Sequence, residues 1–420
     1  MKLHRNVKIR LVFSFLQLGG SSLVIPFLAI YFAEHFGAGI AGVLFIVTVF
    51  GSIIFSFYGG YYSDRFGRKN ILVFASLLRF LSILILVAGN IPGHEIPILA
   101  FVSLLFVNIS VGFQMPPLEA TVVDVTTSEV RKKVYNLSYW LANFSSIFGI
   151  LLGAFLYEDY FFELSICAAT VNLIMFLLMK FFLVETKPAS KQKPPVKPAK
   201  FPLKNMFSSY GLVFKDSLFL KFVAAGLLTL GLEKQLGKFI AVRLEEDFEP
   251  VTVFGQSIQG VEVFGILNTE NSILIVLFTL VIARLIKKFD LSDRMQLYIG
   301  TLLFAGGFAV LAFASNLWVL MAFTFLLSVG EIMYVPVKRL LLSEIAPNES
   351  RSRYMAANTL HTRGASVLGG LGLSVGFLLH SWGMAIVYAL MGAVSIYLFK
   401  RIYDQKREVH QEKNDVRMNG

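Results

Sequence analysis

The amino-acid sequence predicts an all-α polytopic membrane protein, with twelve transmembrane helices in two pseudo-symmetric six-helix bundles. Three observations carry that expectation: an apolar composition, long apolar runs alternating with short charged loops, and a repeat between the two halves. Of the 420 residues, 56% are apolar, 14% aromatic and only 15% charged, and the mean hydropathy is +0.68. A globular domain carries about a quarter of its residues as charges. A chain with 41 Phe and so few charges cannot shield that surface in soluble cores, and it is too apolar for disorder. Soluble enzymes and soluble binding modules are thereby excluded.

A helix that crosses a bilayer needs ~20 apolar residues. Such runs fall at 9–32, 39–61, 70–89, 98–123, 135–157 and 164–184, then at 217–243, 266–286, 295–314, 317–343, 354–379 and 382–402. They are too long for barrel strands, and an open sheet would leave edge N–H and C=O groups unpaired in lipid, so each is read as a helix. The first run is too long for a signal-peptide core and lacks a small-residue cleavage site, so it is expected to remain as span 1. Gly19, Gly20 and Pro26 should loosen and bend that span. The single Cys, Cys167, excludes an internal disulfide and a cysteine metal cluster.

The net charge of +11 is sorted: 33 of the 38 Lys and Arg lie in or at the edges of the termini, the loops after spans 2, 4, 8 and 10, and the segment between spans 6 and 7. The alternate loops are acidic, with Glu34, Glu95, Glu158, Asp159, Glu163, Glu245, Glu246, Asp247 and Glu249. By the positive-inside rule both termini are expected to be cytoplasmic. The basic charge therefore reads as a topology signal, and nucleic acid is not an expected partner. The expected partners are a small-molecule substrate, protons and membrane lipids, and the expected state is a monomer in a bacterial cytoplasmic membrane.

The segment 185–215 is rich in Lys and Pro and reads as an extended cytoplasmic linker. Its end, FPLKNMFSSYGLVF, is amphipathic enough to lie on the membrane surface. The expected organisation is a bundle over 1–184, the linker 185–215, a second bundle over 216–402 and a cytoplasmic tail over 403–420. The halves match at a constant offset of 220 residues: Pro116 with Pro336, Asp124 with Glu344, Glu129 with Glu349, Arg131 with Arg351, Lys133 with Arg353, Ser146 with Ser366 and Gly149 with Gly369. Two related six-helix units are the architecture of an alternating-access transporter, with its site near the midplane.

The loop between spans 2 and 3 reads Gly60-Tyr-Tyr-Ser-Asp64-Arg65-Phe-Gly67-Arg68-Lys69. Gly60 is expected to let helices approach closely and Gly67 to permit a tight turn. Asp64 can accept hydrogen bonds at a helix N-terminus, and Arg68 can grip a carboxylate in bidentate fashion. Asp124, with Arg131 nearby, is the expected partner, and the cluster would latch an inner gate. The matching loop of the second half, Ala283-Arg-Leu-Ile-Lys-Lys288, keeps basic charge without the Asp or the glycines, so an asymmetric gate is expected.

The motif G-x-x-x-D-R-x-G-R-K resembles the signature loop of the major facilitator superfamily. GHEIP before span 4, VVDVTTSEVRK after it, YWLAN in span 5 and GEIMYVP in span 10 resemble its drug/proton antiporter branch. That resemblance implies an exporter of lipophilic or cationic compounds driven by inward proton flow. It also assigns Asp64 and Asp124 to the gate and Glu331 to the acidic position of span 10. The exporter-type Gly-Pro motif of span 5 is incomplete, with Gly149 and Gly153 but no Pro.

An ionisable group at bilayer depth costs on the order of a few kcal/mol unless paired or hydrated, so each one is a functional candidate. Glu331, mid-span in span 10, is the leading candidate for coupling protons to substrate. Glu233 in span 7 and Glu119 in span 4 are further proton-coupling candidates. Glu119 also stands close enough to Asp124 to serve the gate, and Glu233 to do no more than neutralise Lys234 or Lys238. Gln17, Asn108, Tyr139, Trp140, Asn143 and Glu270 are candidates for lining a substrate cavity, against the plainer alternative of bonds and packing between helices. The sequence holds no P-loop, no zinc-ligand spacing and no nucleophile–base constellation. No cofactor and no catalysis are expected, and the proton gradient is the expected energy source. A transporter of one narrow substrate, such as a siderophore, a peptide or a lipid-linked molecule, stays open on the residues alone. A membrane-embedded sensor or enzyme would need a domain or constellation that the sequence does not show.

Overall fold

The computed structural model describes residues 4–186, 216–253, 255–345 and 351–418. Most of the 185–215 linker, including the amphipathic FPLKNMFSSYGLVF, lies outside the described residues. The first half holds α1 (Arg5–Ser22), α2 (Leu28–Phe36), α3 (Ala38–Phe66), α4 (Arg68–Gly89), α5 (Pro97–Val125) and α6 (Ser128–Phe182). The second holds α7 (Ser217–Gln235), α8 (Ala241–Asp247), β1 (Val251–Val253), β2 (Gln256–Ile258), α9 (Gly260–Lys288), α10 (Asp293–Leu311), α11 (Leu317–Ile345) and α12 (Arg351–Met418). Among the described residues, nine helices or helix pairs are long and apolar enough to cross a membrane. Two of these are double. α6 breaks at Tyr160, and α12 breaks at His380, whose φ of 56° is left-handed. With those breaks, and with α7 and α8 joined through a π-turn, the helices make twelve legs.

Span 1 bends where the sequence expects. α1 stops at Ser22, and a 3-10 turn over Ile25–Phe27, with Pro26 in its first turn, leads into α2. Proline fixes φ and removes a donor, so it sits at a helix start and not in its middle. Span 7 is interrupted in a way the hydropathy does not show. Leu236–Ile240 is a π-turn in which Gly237 leaves helical geometry at φ −93° and ψ 22°. The loop beyond α8 forms a small antiparallel hairpin, pairing Val251 with Ile258 and Val253 with Gln256. The tail is helical, since α12 runs on through the 403–418 region.

The chain forms two compact units. One comprises Met1–Pro198 with Leu244–Ser272, and the other Ala199–Arg243 with Ile273–Gly420. They follow the two sequence halves except at Leu244–Ser272, the hairpin and its flanking helix ends, which group with the first unit. Within that unit the core at the gate-motif end combines Ile9, Phe13, Leu72, Leu118, Met175 and Met179. In the second unit Ile282, Ile332 and Met333 form a corresponding apolar cluster.

Candidate gate and coupling sites

The motif loop is built by one glycine. Gly67, at φ +94°, ends α3 and starts α4. A residue with a Cβ is strained at that angle, so glycine is the natural stop. The first N–H groups of α4 lack helical partners. The Glu185 carboxylate supplies them, accepting from Arg68 N at 3.1 Å and Lys69 N at 3.0 Å. A carboxylate at a helix N-terminus also meets the positive end of the helix dipole. Asp64, the residue expected to accept bonds at that terminus, is exposed in the last turn of α3.

Arg68 and Asp124 form an ion pair, with side chains 17% and 23% exposed. Thr186 donates its hydroxyl to Asp124 at 3.1 Å. Asp124 thus ties the start of α4 and the end of α5 to the segment after α6. Arg65 lies over the Phe66 ring at 5.4 Å, and Lys69 contributes its backbone N–H to Glu185. The tight helix approach falls one residue earlier than the motif glycine. A Cβ on Gly59 would stand 2.5 Å from the Phe113 carbonyl oxygen, whereas on Gly60 the nearest atom is the Pro116 Cβ at 3.7 Å. The side chain of Arg131 lies outside the described residues.

The second unit carries a related arrangement. Glu344, the counterpart of Asp124, pairs with Lys406. Lys406 stands 220 residues beyond Thr186, the same offset that relates Glu344 to Asp124. The repeat read from sequence is therefore also a repeat of contacts. Arg294 adds a bond to Asp404 at 3.1 Å, joining the start of α10 to the extension of α12.

Glu119 is held by two partners, Arg10 at 2.8 Å and the Tyr135 hydroxyl, which donates at 2.7 Å. Gln17 donates to Gln114 at 2.9 Å. Gln114 is 1% exposed, and its own Nε2 has no hydrogen-bond partner. Asn108 spends its amide on Leu104 in its own helix, at 3.0 Å. Trp140 is 46% exposed and stacks on Phe144 at 5.3 Å and 6°, while Asn143 is half-buried. The side chain of Tyr139 lies outside the described residues. Glu270 is half-buried, with one carboxylate oxygen buried and unbonded.

In the second unit the charged groups of α7 and α11 converge. Glu233 and Lys234 pair at 2.8 Å. Lys338 lies over the Tyr334 ring at 5.2 Å and within electrostatic reach of Glu233 and Glu331. His361 of α12 feels both Lys338 and Glu233. Glu233 and Glu331 stand out in the sequence as acids within spans, whereas Lys338 reads there only as one of the basic residues around a loop. Its position seven residues after Glu331, two turns on along one helix face, was the available signal. Glu185 and Gln114 were not singled out either, since their partners are distant in sequence.

A model of the Major Facilitator Superfamily matches residues 11–256 and 248–417. The chain belongs to the Major Facilitator Superfamily. It is a multi-pass secondary transporter of that family and not an enzyme. A "Na(+), Li(+), K(+)/H(+) antiporter" of Planococcus maritimus is 32% identical over 366 residues, covering 85% of this chain and 86% of that one. "Multidrug resistance protein MdtH" of Shigella flexneri is 24% identical, covering 92% of each. Among solved structures, a POT family transporter in complex with 5-aminolevulinic acid superposes with TM-score 0.71 at 16% identity, covering 96% of each chain. At that identity the likeness speaks for the fold alone.

Proposed function

We propose that this transporter is a proton-coupled antiporter that exports lipophilic or cationic small molecules by alternating access. The observation that carries the reading is the convergence of Glu233 and Glu331 around Lys338 in the second unit. Carboxylates at membrane depth are costly, and they mark ion and proton pathways. A carboxylate that releases its lysine on taking a proton, and regains charge on losing it, lets a proton and a cation compete for one site. Both termini face the cytoplasm in this reading, in a bacterial cytoplasmic membrane, and the protein works as a monomer. Arg68 and Asp124, with Asp64 and Arg131, then serve an inner gate.

A second reading has a specific support, the 32% identical relative named for exchange of alkali cations and protons. In it the exported cation is inorganic. Inverted vesicles carrying a pH-sensitive dye separate the two. After energisation, a lipophilic organic cation or an alkali salt is added, and proton release is followed. Release by organic cations supports the main reading, and release by alkali salts alone supports the second. Glu331→Gln should abolish release in either case. Full release in that variant refutes the coupling assignment.

A further inference from the structure

Leu244–Ser272 groups with the first unit, and its seat there is apolar. Phe264 meets Phe27 edge-on at 5.8 Å. A Cβ on Gly265 would fall 2.2 Å from the Ala154 Cβ, and Val261, Val263 and Leu267 are fully buried. Beside this seat stand four carboxylates from four helices: Glu34 of α2, Glu158 of α6, Glu245 of α8 and Glu262 of α9. Glu245 feels the other three. Among the described ion pairs, none joins any of the four to Lys or Arg.

The donors present do not satisfy the cluster. Tyr157 donates to Glu34 at 3.3 Å, the Gln259 N–H donates to Glu262 at 2.6 Å, the Gln259 side chain bonds Glu158, and the Val261 N–H serves Glu245. The second oxygen of Glu245 is buried without a partner. A further observation points the same way from a different residue. Tyr31 is 5% exposed, and its hydroxyl is buried with no hydrogen-bond partner. It shares the wall of a cavity of about 440 Å³ with Glu34 and Glu158. A phenol hydroxyl can donate or accept, so a buried one with no partner is a polar group left open beside these carboxylates.

We propose that Glu34, Glu158, Glu245 and Glu262 form a proton-operated latch that holds Leu244–Ser272 on its seat against Phe27 and Ala154. Protonated, the cluster carries little charge and the apolar seat closes. Deprotonated, like charges repel at short range and the segment lifts. The latch shares no residue with the Arg68–Asp124 pair or with the Glu233–Glu331 cluster. It does not rest on the proposed direction of transport or on the cargo.

The charged surroundings leave the sign clear. Beyond the four, Asp159 acts on Glu158, and Asp247 acts on Glu246 in the same helix. On the positive side, His35 acts on Glu34 and, together with His94, on Glu95. Arg243, next to α8's acidic end, donates to the Ala314 carbonyl at 2.6 Å. Burial, then the charges of Glu158 and Glu34, push Glu245 up from 4.5 to about 7, against the Val261 N–H. The seated form therefore holds its proton more tightly than the lifted form. Seating is fully supported below about pH 4.5 and weakens as pH rises to about 7.

The test uses purified protein in lipid nanodiscs with Cys167→Ser. Val261→Cys places a thiol under the seated segment, and Ser257→Cys, on the exposed face of the hairpin, reports intrinsic thiol reactivity. Maleimide labelling rates are compared from pH 5 to pH 8.5 as the ratio of the first to the second. The expected result is a ratio that rises roughly tenfold between pH 5 and pH 8 and stays low and flat in Glu245→Gln. Glu34→Gln removes a neighbouring charge without touching Glu245, and should shrink the rise and move its upper end below pH 7. A flat ratio in the parent overturns the latch. So does a full pH response in Glu245→Gln or, where that variant does not fold, an unaltered one in Glu34→Gln.

Discussion

Glu185→Ala should loosen the first turn of α4 without disturbing the rest of the helix. The carboxylate accepts the N–H groups of Arg68 and Lys69 at 3.1 and 3.0 Å, and α4 has no side-chain cap from Gly67. Losing an N-cap costs ~0.5–2 kcal/mol, and the favourable charge at the helix end adds ~0.3–1 kcal/mol at low salt. Glu185 is exposed, so water replaces part of what is lost and the lower part of that range applies, about 1 kcal/mol. A local opening free energy lower by that amount speeds exchange about fivefold. Hydrogen–deuterium exchange on a peptide spanning Gly67 to Leu72 reads this directly. Glu185→Gln keeps an acceptor and loses the charge, so it should show a smaller rise that shrinks further with added salt. An exchange rate in Glu185→Ala equal to the parent's would refute the cap.

Other outcomes follow from the same geometry. Gly60→Ala should be tolerated, whereas Gly59→Ala should cost ~1–3 kcal/mol, read from unfolding in an SDS titration, because its Cβ would meet the Phe113 carbonyl at 2.5 Å. A double-mutant cycle of Arg68→Gln and Asp124→Asn should give a coupling of ~1–2 kcal/mol, since both side chains are largely sheltered. The same cycle on Lys406→Ala and Glu344→Gln should give ~0–1 kcal/mol, because those side chains are 32% and 45% exposed. Equal couplings in the two cycles would refute the ordering.

The sequence exposes those parts of the fold that one run of residues decides. Twelve legs are legible because a bilayer demands ~20 apolar residues per crossing, and the bend in span 1 follows from Pro26 alone. The π-turn at Leu236–Ile240 leaves no mark on hydropathy, since Leu, Gly, Phe and Ile suit either ladder. The hairpin over Val251–Ile258 is too short to read among loops. At the gate, Arg68 with Asp124 was legible because the motif names one partner and charge names the other. Glu185 was not, for a cap 117 residues from its helix has no local signature. The exchange of Gly60 for Gly59 as the close-packing residue has a similar cause: a motif fixes the spacing of residue types, while the facing backbone decides which glycine is needed.

The repeat bears on what the gate contacts do. Asp124 and Glu344 hold equivalent places, and each meets the residue that stands 62 positions further on, Thr186 in one unit and Lys406 in the other. The first unit satisfies its carboxylate with a neutral hydroxyl and then draws in Arg68 from the motif loop. The second answers it with the lysine itself, while Ala283–Lys288 carries cations without Asp or glycine and the turn before α10 is made by Asp290, at φ 47°. An ion pair between sheltered groups resists separation more than an exposed one, because its partners cannot simply be rehydrated in place. The energetic weight of the arrangement therefore falls on the first unit, where Arg68, Asp124, Thr186 and Glu185 form one connected set. A motif that occurs in only one half is then intelligible without appeal to symmetry. The acid is present in both halves, and the difference lies in where its counter-charge comes from.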